Sequence, residues 1–186
     1  MERRNRKNRN TALCVTFCGM MAALGVVLML LGGVLAVLTY AAPLIASICL
    51  IPVLTEFGSV RAWLCYIASA VLCVLLCPDN ELAFFYVFLG YYPIIRPLFE
   101  RISSKPLRIA AKLVYFAAVV GLLYLFLCFV LRLNAVINEM GEAGAVMNVL
   151  FFVGVTLCLL VYDFALGTAR LLYERRIRPK LRVLRS

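Results

Sequence analysis

The sequence predicts an all-α, polytopic membrane protein: a compact bundle of six transmembrane helices with both termini cytoplasmic. Three observations point that way. The chain is 65% hydrophobic and 15% charged, against about 45–50% and about 25% in a soluble domain. Its apolar residues come in long runs, and Thr11 to Thr55 carries no charge at all. Its basic residues lie between and beyond those runs, in a pattern that sorts them to one side of a bilayer. Mean hydropathy is +1.01.

Taken in order, residues 1–10, MERRNRKNRN, hold five Lys/Arg and no apolar run, and read as a solvated cytoplasmic anchor. Span one is Ala12–Leu38. It is too long for the ~7–15 residue apolar core of a secretory signal, and Thr39-Tyr40-Ala41 makes a poor cleavage site. Gly19 with Ala23, and Gly32 with Ala36, place small residues one helical turn apart, which lets two helix backbones approach closely in lipid. Such contact serves the chain's own spans or a partner's.

Span two, Ala42–Leu54, is short, with Pro43 at its start and Pro52 inside. It either crosses at a thin point or re-enters, and charge decides. If it crosses, every Lys/Arg of the 19 except Arg132 is cytoplasmic. If it does not, Arg96, Arg101, Lys105, Arg108 and Lys112 fall outside. The positive-inside rule favours crossing. Span three is Ala62–Cys77, span four Leu82–Leu98, span five Leu113–Leu131 and span six Ala145–Leu166. The six-span domain covers 11–172. The tail, 173–186, is basic and partly amphipathic and suits an anionic membrane surface. It lacks the aromatic interleaving of a nucleic-acid site.

Chemistry-bearing residues are few. There is no His, the commonest metal ligand and general base. The eight cysteines sit in apolar stretches without C-x-x-C spacing and read as small buried apolar residues; only Cys73 and Cys77 form a pair one turn apart near an outer end. No G-x-x-x-x-G-K-[ST], H-E-x-x-H or G-x-S-x-G occurs. No catalytic residue, metal or cofactor is implied.

Pro78–Arg101, PDNELAFFYVFLGYYPIIRPLFER, runs from acids through an aromatic block to bases. It ends with Arg96 between two prolines. In span six, Asp163, Gly167 and Arg170 share a helical face at i, i+4 and i+7. A charge at mid-membrane costs about 2.5–3.5 kcal/mol on insertion scales and takes a partner. Asp163 therefore pairs with Arg96 or Arg170, structurally or as a proton or gating site. On the outer side Tyr40, Asp79, Asn80, Glu81, Tyr86, Tyr124 and Asn148 are expected near the mouths of their spans. They form either a small-molecule pocket or an interfacial belt.

The basic start leading into ALCVTFCGMMAALGVVLMLLGG, six short spans, and the ending YDFALGTARLLYERRIRPKL resemble the substrate-binding (S) components of bacterial energy-coupling factor vitamin transporters. The resemblance implies a six-helix bundle in a bacterial cell membrane that takes a vitamin or similar micronutrient from outside. A transmembrane T component and two ATPase subunits would supply energy. It implies that Gly19 and Ala23 pack on the T component and that Tyr40, Asp79, Asn80, Glu81, Tyr86, Tyr124 and Asn148 line the pocket. The alternative reading is a non-transporting multi-pass scaffold or envelope-assembly protein.

Overall fold

The computed structural model describes residues 2–34, 41–129 and 144–178, and these are helical with short connections. Eight α-helices follow in order: α1 (Glu2–Val34), α2 (Ala41–Ile48), α3 (Leu50–Phe57), α4 (Ser59–Leu76), α5 (Asn80–Leu89), α6 (Tyr92–Glu100), α7 (Lys105–Phe129) and α8 (Gly144–Leu172). A π-helical turn, Tyr173–Ile177, continues α8. The chain divides into two compact units, Met1–Ile95 and Arg96–Ser186.

The first unit is built around α1. Its core holds Val26, Met29, Ala46, Val53, Ala62, Cys73, Leu82 and Tyr86. Contacts along α1 fix the direction of its neighbours. Phe17 meets Phe57 with ring centroids 5.6 Å apart. A Cβ on Gly25 would lie 3.7 Å from the Ala46 carbonyl, and one on Gly33 would lie 3.6 Å from Leu82. The Cys65 thiol donates to the Cys18 carbonyl at 3.4 Å. Thus α2 and α3 run back along α1, and α4 runs forward beside it. The returning segment, Ala41–Phe57, is too short to count among the long apolar helices. Its 17 residues still reach about 25 Å at ~1.5 Å per residue.

Three breaks in this unit follow from proline and glycine chemistry. Pro52 has no N–H for the Ile48 carbonyl, and the helix is interrupted at Cys49, whose N–H turns to the Ala46 carbonyl at 3.1 Å. Gly58 joins α3 to α4 with φ +86°, a conformation glycine takes without steric cost. The expected fourth span is likewise two helices, α5 and α6. Pro93 cannot donate to the Leu89 carbonyl, and it sits in the first turn of α6, where a missing N–H is tolerated. At the junction the Gly90 N–H donates to the Tyr86 carbonyl at 2.7 Å. Tyr66 Oη donates to the Val87 carbonyl at 2.5 Å.

The second unit contains the end of α6, then α7, α8 and the π-helical turn. Both long helices start or end away from the expected bounds. α7 begins at Lys105, eight residues before the expected Leu113, and α8 continues to Leu172. α1 similarly begins at Glu2, so the basic tract expected as a solvated anchor is helical.

Among the described residues, five helical stretches are long and apolar enough to cross a membrane: Thr11–Gly33, Ser59–Leu76, Asn80–Glu100, Pro106–Leu123 and Phe152–Arg176. Their polarity is inverted relative to a water-soluble fold. Phe164 is 77% exposed and Val161 70%, while the side chain of Asp163 between them is 14% exposed. Large apolar side chains in that number on the outside suit a lipid solvent. The chain is a multi-pass helical membrane protein.

Candidate functional site

The most polar site within an apolar helix is in the second unit, at Asp163. This residue sits on α8, where the one-turn register puts Gly167 directly beyond it. Arg96, from α6, donates from Nε to Asp163 Oδ1 at 2.8 Å. Lys112, from α7, places Nζ 2.5 Å from Oδ2. Both carboxylate oxygens are thus engaged, each by a different helix. Side-chain exposures are 12% for Arg96, 8% for Lys112 and 14% for Asp163. Gly167 makes room for this: a Cβ there would lie 2.7 Å from Arg96 Nη2.

The charges continue toward the end of α8. Arg96 Nη1 meets Glu100 Oε1 at 2.7 Å, Arg170 Nη1 lies 3.7 Å from Glu100 Oε2, and Arg170 Nε meets Glu174 at 3.1 Å. Arg96, Lys112 and Arg170 stand against Asp163, Glu100 and Glu174, so the six side chains are formally neutral together. Charges removed from water need such pairing, since an unmatched one costs several kcal/mol. The arrangement can clamp three helices together through one carboxylate. Of the two partners expected for Asp163, Arg96 reaches it, and Arg170 pairs with Glu100 and Glu174. Lys112 was not among the expected partners. Its signal in the sequence was its position as the last cation before the apolar run of span five.

Four of the seven residues expected on the outer side have described side chains. Asp79 is the N-cap of α5, accepting from the Glu81 N–H at 3.0 Å. Asn80 is exposed and Glu81 half-buried at the same helix start. Tyr86 is 1% exposed, and its Oη lies 3.0 Å from Ser69 Oγ. Because Ser69 donates to the Tyr66 carbonyl at 2.9 Å, the proton of this second bond comes from Tyr86. Around it Trp63, Tyr66, Tyr86 and Tyr91 form an aromatic cluster, with Trp63 stacked on Tyr91 at 5.8 Å. Tyr40 lies outside the described residues. Tyr124 is on α7 and Asn148 on α8, but their side chains lie outside the description. Among the described residues, no group of three His, Cys, Asp or Glu is placed to hold a metal.

The first unit also carries a cleft of about 380 Å³ between α1 and α4. Gly19 lines it, and a Cβ there would meet nothing within 4 Å. Ala23, one turn on, is exposed. Gly19 and Ala23 thus lie at the open surface of α1, beside Met20, Val27 and Leu31, each at least half exposed. No protein family, characterised protein or solved structure matches this chain.

Proposed function

We propose that this chain is a membrane-embedded subunit that works by docking a partner in the bilayer through α1. The observation that carries the reading is the open face of α1, where Gly19 and Ala23 leave backbone accessible among exposed apolar side chains. In lipid, close backbone packing at small residues is a main source of helix association.

The sequence resemblance gives this reading its particular form: substrate capture for an energy-coupling factor uptake system of a bacterial cell membrane. The docked partner would be the T component, and separate ATPases would supply energy, in keeping with the missing phosphate-binding loop. In this reading Ala41–Phe57 is the sixth crossing, made by two short helices. Both termini are then cytoplasmic, and Asp79, Asn80 and Glu81 face outside, where a vitamin-like substrate arrives.

A second reading, a non-transporting scaffold or envelope-assembly protein, is favoured by the employment of Tyr86 and Asp79. Both already serve the fold, one as a buried hydrogen-bond donor and one as a helix cap. The readings separate on purification of the tagged protein from its native membrane in gentle detergent. Co-purification of an ATPase pair with a membrane subunit, and release of a small molecule on denaturation, supports capture. Envelope or assembly proteins without ATPase or ligand support the scaffold. Loss of the partner on Gly19→Leu or Ala23→Leu tests the α1 face in either case.

A further inference from the structure

We propose that the cleft between α1 and α4 holds an acyl chain of an anionic phospholipid from the surrounding bilayer, with the phosphate at Arg61. This goes beyond the docking reading: lipid and a partner helix would compete for Gly19, and the Arg61 variants below test the lipid alone.

The cleft has the shape and lining of a chain site. Its volume of about 380 Å³ is at the small end of ligand cavities, ~300–1,000 Å³. Its walls are the small or apolar residues Cys14, Cys18, Gly19, Ala22, Cys65 and Ala68; thiols of this kind behave as small hydrophobes. On α1 the lining runs from Thr11 to Ala22. That is about 16 Å at ~1.5 Å per residue, roughly one leaflet of a hydrocarbon core ~30 Å thick. It is open at the side, so a lipid chain enters from the bilayer without passing through water.

Charge selects the headgroup. Polar atoms enter the lining at one end, through Thr11 and Arg61. Arg61 is exposed, lies near the start of α4, and among the described residues forms no salt bridge. Its contacts are the Phe57 carbonyl at 3.4 Å, at the limit of a hydrogen bond, and the Phe57 ring at 5.9 Å. Arg96 and Arg170, by contrast, are each matched to carboxylates. At the same end α1 continues as helix through residues 2–10, a stretch whose sequence includes five Lys/Arg. A cation with no salt bridge among the described residues, at the mouth of an apolar groove, is complementary to a phosphate with a net negative charge. Basic pockets between transmembrane helices bind anionic headgroups in this way. A partner helix in the same groove would fill the apolar part and leave Arg61 uncompensated.

The test uses the full chain purified in detergent, titrated with dioleoyl phosphatidylglycerol or dioleoyl phosphatidylcholine, with bound lipid counted by native mass spectrometry. One phosphatidylglycerol should be retained in preference to phosphatidylcholine. Arg61→Gln should weaken it about fivefold, the worth of one basic residue at an anionic surface; Arg61→Lys should restore it. Gly19→Leu, whose Cβ would meet nothing within 4 Å and whose side chain adds bulk to the lining, should abolish retention of both lipids. Helicity measured by circular dichroism identifies any variant that fails to fold, and Ala68→Leu then replaces Gly19→Leu as the filling variant. Equal retention of the two lipids, no retained lipid, or retention unchanged by both Arg61→Gln and cleft filling would overturn the proposal.

Discussion

The two units of this protein bury polar groups by opposite means. Among the described residues of Met1–Ile95, hydroxyl groups make neutral hydrogen bonds inside the fold, two of them to backbone carbonyls beside helix breaks. Tyr66 supplies the Val87 carbonyl at the α5–α6 break, Ser47 turns to the Leu44 carbonyl at 2.6 Å, and Tyr86 donates to Ser69. In Arg96–Ser186 the corresponding position is ionic, one aspartate answering two cations from two other helices. The difference teaches where each unit is fragile. A neutral hydroxyl contact in a membrane protein averages only about 0.6 kcal/mol, because the unfolded chain in lipid also finds partners. A buried charge left without its partner costs about 3–5 kcal/mol. The first unit therefore spreads its stability over packing, and the second concentrates it at Asp163.

Four substitutions break or sharpen that contrast, from the largest effect down. Asp163→Asn leaves Lys112 without its counter-charge and Arg96 with Glu100 alone, and should lower stability by about 3–5 kcal/mol. Thermal melting in detergent measures it. A double variant with Lys112→Met should recover part of the loss; strict additivity would show that the two side chains do not interact. If stability survives Asp163→Asn while coupling to a partner fails, the carboxylate serves function more than fold.

Gly167→Ala comes next. Its methyl would sit 2.7 Å from Arg96 Nη2 and push the guanidinium off Asp163, at about 1–3 kcal/mol for overpacking. Unchanged melting would mean that Arg96 shifts freely and the clamp is looser than its geometry. In the first unit, Tyr86→Phe removes one hydrogen bond while Ser69 keeps its bond to the Tyr66 carbonyl, so a loss of about 0.6 kcal/mol is expected. A loss as large as that of Asp163→Asn would erase the contrast. Arg170→Gln should be as small as Tyr86→Phe. The Arg170 and Glu174 side chains are 36% and 35% exposed, and a pair this open is worth about 0.2–1 kcal/mol.

Much of this was legible in the sequence because membranes constrain composition and charge. Helical class follows from apolar length, and Asp163 announced its need for a partner by being an acid inside an apolar run. Arg96 was readable as that partner from depth alone. Lys112 was not, because it was grouped with the loop cations. With α7 starting at Lys105, Lys112 is two turns inside a helix, and a loop reading could not place it there. Tyr86 was ambiguous for a related reason. Aromatic identity does not distinguish a belt, a pocket wall and a core residue; the neighbour that decides is Ser69, 17 positions earlier. The cleft was half visible, since Gly19 marks a thin place on α1, but its other wall and Arg61 come from α4.

The most direct test of the account is the sidedness of the turns that flank α4. A short epitope inserted between Gly58 and Ser59, and separately between Pro78 and Asp79, in the full chain expressed in intact cells, would report which side each occupies. The account, in which Ala41–Phe57 crosses the membrane, predicts that the Pro78–Asp79 epitope is reached from outside and the Gly58–Ser59 epitope only after permeabilisation. The reverse labelling, or both epitopes on one side, would contradict it.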